Sequence, residues 1–223
     1  GLFDNPYTGD KKLAEKLVQS KEHQALSLQA ALESIVLLKN EDNILPLDTS
    51  LKSVAVIGPN AQEKEGLISR YGPANLPIVT IYEGIKNMLP DAEVVYEKGA
   101  DIISAHFPED EIMPFPIEAD AQELLDKAVK AAQQSDVAIL VLGGSELTVR
   151  EDRSRTSLDL PKSQQRLLEA VCATGKPVVL VLVDGRAASI NYAQAHVPGI
   201  IHAWFPGEFG GDAVAQVLFG AYN

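Results

Sequence analysis

The chain holds one cysteine, Cys172, among 223 residues, so it has no internal disulfide and none of the usual zinc clusters. Cys172 shares an apolar helical stripe with Leu167, Leu168 and Val171, which marks it for core packing rather than reactivity. Long apolar runs are also missing, so no segment is suited to span a bilayer. The start lacks a basic segment followed by an apolar one, an absence that in a fragment says nothing about export. Cations are in short supply. The formal net charge is −12 and the isoelectric point about 4.7, which argues against nucleic acid, because phosphate binding needs a basic face. His23, His106, His196 and His202 show no metal-ligand spacing, and no His-Glu-x-x-His segment is present, so no metal or cofactor is expected. Internal repeats and low-complexity segments are absent too.

What the chain does have is alternation. Apolar runs at Val54–Ile57, Glu93–Tyr96, Val137–Leu142, Val178–Val183 and Ile200–Trp204 read as strands buried on both faces. Between them lie helical stripes: Leu124, Leu125, Ala128, Val129 and Ala132; then Leu167, Leu168 and Val171, closed by Gly175; then Ala213, Val214, Val217 and Leu218. This order predicts an α/β three-layer sandwich, a mostly parallel sheet of five or six strands with helices on both faces. Leu26–Lys39 reads as a further helix ahead of the sheet, and Gly1–Ser20 as a connector. Residues 1–48 therefore form a connecting and packing segment and residues 49–223 the sandwich. Ala105–Pro116, with three prolines and an acidic cluster, reads as a surface excursion.

The segment richest in chemistry follows the third strand. Gly143-Gly144-Ser145-Glu146-Leu147-Thr148-Val149-Arg150-Glu151-Asp152-Arg153-Ser154-Arg155 runs on to a helix opening at Pro161, where proline fits the first turn. A connection of about eighteen residues is long where two to six is usual. It sets two carboxyl candidates, Glu151 and Glu146, among arginines at the carboxyl end of a strand, where open α/β sheets bind ligands. A solvated charged loop is the plain alternative. Tyr71, on the loop after the first strand, is a candidate aromatic platform for a ligand or a tyrosine capping the sheet edge. Asp184-Gly185-Arg186 reads as a turn with a structural ion pair. Glu208 sits among glycines that permit a tight strand-to-helix turn.

Ordered motifs along the whole chain resemble the C-terminal α/β sandwich domain of family 3 glycoside hydrolases. Gly1-Leu2-Phe3-Asp4-Asn5-Pro6-Tyr7 looks like the segment leaving that family's catalytic barrel. Ser34–Asn40 with Leu45-Pro46-Leu47 looks like the entry to the second domain, and Val54–Ala61 like its first strand and turn. Glu151 with Ser154-Arg155 and Leu158-Asp159-Leu160-Pro161 matches the acid/base segment. Trp204-Phe205-Pro206-Gly207-Glu208 with Gly210-Gly211 matches the last strand and helix. The resemblance implies a retaining, exo-acting β-glycosidase, β-glucosidase first and β-xylosidase second, acting on a β-linked oligosaccharide or aryl glycoside. It implies Glu151 as general acid/base, with Glu146 as the alternative because some relatives place the carboxylate nearer the loop's start. Tyr71 and Arg153 become candidate substrate contacts.

Arg150 and Asp152, where many relatives have small residues, depart from the pattern. The family's nucleophile, an aspartate in a Ser-Asp-Trp type segment of an upstream (β/α)8 barrel, has no counterpart here. The single tryptophan, Trp204, follows His202-Ala203. The chain alone is therefore expected to be inactive. A downstream β-sandwich domain and a periplasmic or secreted parent are compatible with the resemblance. Two rival readings stand beside it. A nucleotide- or flavin-binding domain would need Gly-x-Gly-x-x-Gly after the first strand, and Gly58-Pro59-Asn60-Ala61 is not one. A non-catalytic carbohydrate-binding or interdomain assembly module needs no such motif.

Overall fold

The computed structural model describes residues 1–7, 9–68, 72 and 76–223. Six strands form one sheet: β1 (Val36–Asn40), β2 (Ser53–Ile57), β3 (Glu93–Glu97), β4 (Val137–Gly143), β5 (Val178–Val183) and β6 (Gly199–His202). Their spatial order is β1-β6-β5-β4-β2-β3, and every pairing is parallel except that of β1 with β6. The central strands β4 and β5 are buried along their whole length, as their content, free of polar side chains, requires.

Successive side chains of each strand point to opposite faces, so the sheet builds two cores. On one face Val56, Ile139, Val181 and Ile201 pack with α4 (Ile81–Met88), which follows the single-turn α3 (Glu65–Ile68) in the chain, and with α8 (Gly210–Leu218). On the other, Ile57, Leu140, Leu180 and Ile200 pack with α5 (Ala119–Gln134), α6 (Lys162–Cys172) and α7 (Asn191–His196). Cys172 is a half-buried free thiol beside this second core, and burial pushes its pKa up to about 11, so it stays protonated and inert at neutral pH. The three-layer sandwich expected from the alternation of strands and helices is the observed fold. No helix among the described residues is long and apolar enough to cross a membrane.

One element differs from its sequence reading. The helix expected over Leu26–Lys39 ends earlier: α2 spans Lys21–Ser34, and Val36–Asn40 is strand β1. The run Ile35-Val36-Leu37-Leu38 keeps helical apolar spacing but pairs with the otherwise open edge of β6, Val36 opposite His202 and Asn40 opposite Gly199. Tertiary pairing overrides local spacing there. Ahead of it, α1 (Lys11–Leu17) buries no residue, and Leu2, Phe3, Tyr7, Leu13, Leu17 and Val18 are exposed. The segment is tied back through Gln19, whose side-chain amide donates to buried Glu208 at 3.0 Å.

The order of strands sets where a ligand would sit. From β2 the chain moves outward to β3, then returns past β2 to β4, so the connections leaving β2 and β4 diverge at their carboxyl ends. Such a divergence is the usual place of a ligand crevice in an open α/β sheet.

Candidate active site

The crevice is framed by the turn after β2 and the loop after β4. Asn60, buried in the turn Pro59–Ala61, donates its side-chain amide to the Gly144 carbonyl at 2.8 Å and ties the two together. The loop leaves β4 through two glycines with different jobs. Gly143 has φ +147, and a Cβ there would lie 2.0 Å from the Val183 carbonyl oxygen. A Cβ on Gly144 would meet Val149 Cγ2 at 2.6 Å and Asp184 Oδ1 at 2.9 Å, so only glycine lets the turn fold this tightly. Gln164, fully buried on α6, clasps Gly143 from both sides. Its Oε1 accepts from the Gly143 N–H at 2.8 Å, and its Nε2 donates to the Gly143 and Ile102 carbonyls at 2.8 Å each.

Beyond the glycines, Ser145 and Thr148 close a turn on themselves. Thr148 Oγ1 accepts from the Ser145 N–H at 3.1 Å, and the Ser145 carbonyl accepts from the N–H groups of Thr148 and Val149 at 2.9 Å each. Glu146 rides on this turn, half-buried; Glu151 lies farther out, exposed. Among the described residues neither carboxylate has a hydrogen-bond or ion-pair partner. Arg150 turns its charge on Asp152 instead, with Nε 2.6 Å and a terminal nitrogen 3.0 Å from the two carboxylate oxygens. Exposed Arg153 has its backbone carbonyl held by Arg186 at 2.7 Å, and Arg186 also reaches the Arg150 carbonyl at 3.4 Å. Arg186 thus grips the chain on both sides of Glu151. The ion pair expected between Asp184 and Arg186 is absent among the described residues, because the guanidinium is spent on loop carbonyls.

The far end of the loop is pinned by a residue 44 positions away. Glu111, in the excursion after β3, accepts from Arg155 Nε at 2.6 Å, from the Thr156 N–H at 2.8 Å and from the Thr156 hydroxyl at 2.7 Å. The Arg155 and Glu111 side chains are only 9% and 2% exposed. Burial works to raise the Glu111 pKa, but the Thr156 hydroxyl and amide, with the Arg155 guanidinium, outweigh it and hold the carboxyl below its ordinary 4.5. Asp184, at the end of β5 and 5% exposed, goes the other way: burial raises its pKa against the pull of the Arg186 N–H and the nearby cations. A cleft of about 110 Å³ is lined by Arg155, Asp184 and Arg186.

On the same rim Trp204 follows β6 with φ +59, a left-handed backbone that a bulky residue rarely adopts. It is 42% exposed and stacks on His202, ring centroids 4.0 Å apart, while His202 Nε2 donates to the Asp184 carbonyl at 3.2 Å. Tyr71 lies outside the described residues. Of the residues singled out in the sequence, Glu146, Glu151 and Arg153 share the loop at the crevice. Asn60, Glu111, Gln164 and Arg186, which hold that loop in place, were not singled out in this role. Only Arg186 gave a signal, as a cation directly after a strand on the same edge. Among the described residues, no group of three or more His, Cys, Asp or Glu is arranged to hold a metal ion.

The model of the glycosyl hydrolase family 3 C-terminal domain matches residues 35–223. A β-xylosidase of Formosa agariphila is 39% identical over all of this chain and 30% of its own length. A periplasmic β-glucosidase of Salmonella typhimurium is 37% identical over all of this chain and 31% of its own. The solved β-glucosidase of Erythrobacter marinus superposes with a TM-score of 0.85 at 36% identity, covering all of this chain and 31% of that one. The chain thus spans about a third or less of the length of these relatives.

Proposed function

Because the chain belongs to the glycosyl hydrolase family 3 C-terminal domains, we propose that it is the second domain of a retaining, exo-acting β-glycosidase and that Glu151 is the general acid/base. β-Glucosidase is the first reading of the parent activity and β-xylosidase the second, since the relatives named above divide between the two. The substrate is a β-linked oligosaccharide or aryl glycoside. An upstream (β/α)8 barrel supplies the aspartate nucleophile, and a β-sandwich domain follows downstream. The exposed apolar side chains of the arm, Leu2, Phe3, Tyr7, Leu13 and Leu17, support a partner that covers them.

The observation that carries this reading is an exposed carboxylate, without a hydrogen-bond or ion-pair partner among the described residues, on the loop after β4, which is held at both ends. Retention needs two carboxyl groups about 5–5.5 Å apart. As the aspartate attacks the anomeric carbon, the protonated Glu151 gives its proton to the leaving oxygen. In the second half Glu151 takes a proton from water, whose oxygen displaces the aspartate and releases the sugar with its configuration retained. Burial favours a neutral carboxyl, so a general acid works best where water is excluded, and a docked barrel with a sugar in place supplies that exclusion. Arg150, held by Asp152, is turned aside from this role. Tyr71 and Arg153 are proposed as sugar contacts.

The test uses the protein that joins this chain to its barrel. Glu151→Ala should lose turnover of poorly activated glycosides, and azide should restore part of it with formation of a glycosyl azide of retained configuration. Full activity in that variant removes Glu151 from the role. Full activity of the barrel without this chain would leave the chain an interdomain module.

A further inference from the structure

Glu151 sits at the first corner of a turn that closes on itself. The Arg153 N–H donates to the Arg150 carbonyl at 3.1 Å, and Arg150 pairs with Asp152 across the same turn. Such bonds fix the shape of the turn but not its direction relative to the sheet. Among the described residues, the hydrogen bonds that join residues 150–154 to the rest of the molecule come from Arg186. Its Nη2 lies 2.7 Å from the Arg153 carbonyl oxygen and 3.4 Å from that of Arg150, the two ends of the turn. Arg186 is itself held. Its N–H donates to Asp184 Oδ1 at 3.0 Å, and Asp184, 5% exposed, directly follows the buried central strand β5. Gly185 allows that turn to pack closely, since a Cβ there would meet Phe205 Cε2 at 2.8 Å and Val149 Cγ1 at 2.9 Å. The path from the sheet to the acid/base turn is therefore short: β5, Asp184, Arg186, then two carbonyls.

A proton donor works only within hydrogen-bond reach of the leaving oxygen, about 2.6–3.2 Å, so a turn free to swing by about an ångström would lose most of its effect. A guanidinium suits the task of preventing that. Its Nη2 carries two coplanar N–H groups, one for each carbonyl, and it neither deprotonates nor accepts the proton meant for the sugar. By holding backbone rather than the carboxylate, it also leaves Glu151 free to exchange its proton. We infer that Arg186 is a positioning residue, which aims Glu151 at the leaving-group oxygen through the Arg150 and Arg153 carbonyls. This inference rests on the acid/base reading of Glu151.

The barrel-linked protein tests it with two β-glycosides of one sugar, a disaccharide and a dinitrophenyl glycoside. The ratio kcat/KM reports the glycosylation step, in which a departing sugar must be protonated and dinitrophenolate need not be. Arg186→Ala should lower kcat/KM for the disaccharide about 10–10²-fold and for the dinitrophenyl glycoside by less than about threefold. A general loss of structure lowers both alike, and the thermal midpoint is recorded beside them. In a Glu151→Ala background the same change should cost less than about twofold more, because no proton donor remains to be aimed. Arg186→Lys, which keeps the charge but is shorter and lacks the planar amino group, should show the same selective loss at about threefold or more, and stands in if Arg186→Ala does not fold. Equal losses on the two substrates, losses that add in the double variant, or unchanged selectivity in Arg186→Lys overturn the inference. An impaired Glu151→Ala beside an unimpaired Arg186→Ala overturns it alone. Full activity of Glu151→Ala removes the acid/base reading and this inference with it.

Discussion

The loop after β4 is built in two manners. Its ends are buried and over-determined: Gln164 takes both backbone groups of Gly143, Asn60 takes the Gly144 carbonyl, and Glu111 takes three donors from Arg155 and Thr156. Its middle, residues 150–154, carries the exposed charges, and its firmest hold on the rest of the protein is one guanidinium on two backbone carbonyls. The difference teaches that the residues that position the loop are not the ones proposed to react on it. Glu151, the proposed proton-transfer group, has no hydrogen-bond or ion-pair partner among the described residues, and the rigidity of its stretch is supplied from outside it.

Five substitutions break or sharpen that contrast. The largest effect is expected at the middle: in the barrel-linked protein, Glu151→Ala should cost about 10²–10⁴-fold in kcat on poorly activated glycosides, with Glu146→Ala costing far less. The reverse ranking would transfer the acid/base role to Glu146. Next comes the buried end. Glu111→Ala strands the Arg155 guanidinium and should lower stability by about 3–5 kcal/mol in urea titrations. A loss under about 1 kcal/mol would show that the pair does not anchor the loop. Gly144→Ala should cost roughly 1–3 kcal/mol, because its Cβ forces Val149 and Asp184 apart. Smallest, Arg150→Ala should leave the urea midpoint unchanged, since its partner Asp152 is exposed.

The anchor also carries a pH signature. Glu111 is held below its ordinary 4.5 in the fold, so its contribution is complete above that value and is lost as pH falls through the lower folded one. The stability gap between the parent chain and Glu111→Gln should therefore be constant near neutrality and close progressively below about pH 4.5. A gap that widened on acidification would contradict the assigned shift.

How much of this was legible in the sequence depends on the range of the interactions. β4 and β5 were readable because strands covered on both faces must be apolar throughout. The long polar connection after β4 announced itself by length and charge. β1 was hidden because Ile35-Val36-Leu37-Leu38 satisfies two periodicities, and only the open edge of β6 decides between them. α4 has one local signal, the Thr-x-x-Glu spacing of Thr80 and Glu83, which form a capping box with each side chain meeting the other's backbone N–H. The supports of the Glu151 loop were illegible for a different reason. Glu111 meets Arg155 across 44 residues, and Asn60 meets Gly144 across 84. No local pattern relates such positions, and a buried glutamine such as Gln164 looks in sequence like any solvated one.

The direction of β1 has a topological consequence. Because it alone runs against the other strands, its first residue, Val36, stands opposite His202 at the carboxyl terminus of β6. Residues 1–35 are therefore delivered to the rim that bears Trp204 and the β4 loop, and Gln19 meets Glu208 there. Had β1 been parallel, the same tether would have arrived at the opposite end of the sheet, some four residues of strand away. A single reversed strand thus steers the leading segment to the side on which the catalytic carboxylate is proposed to act.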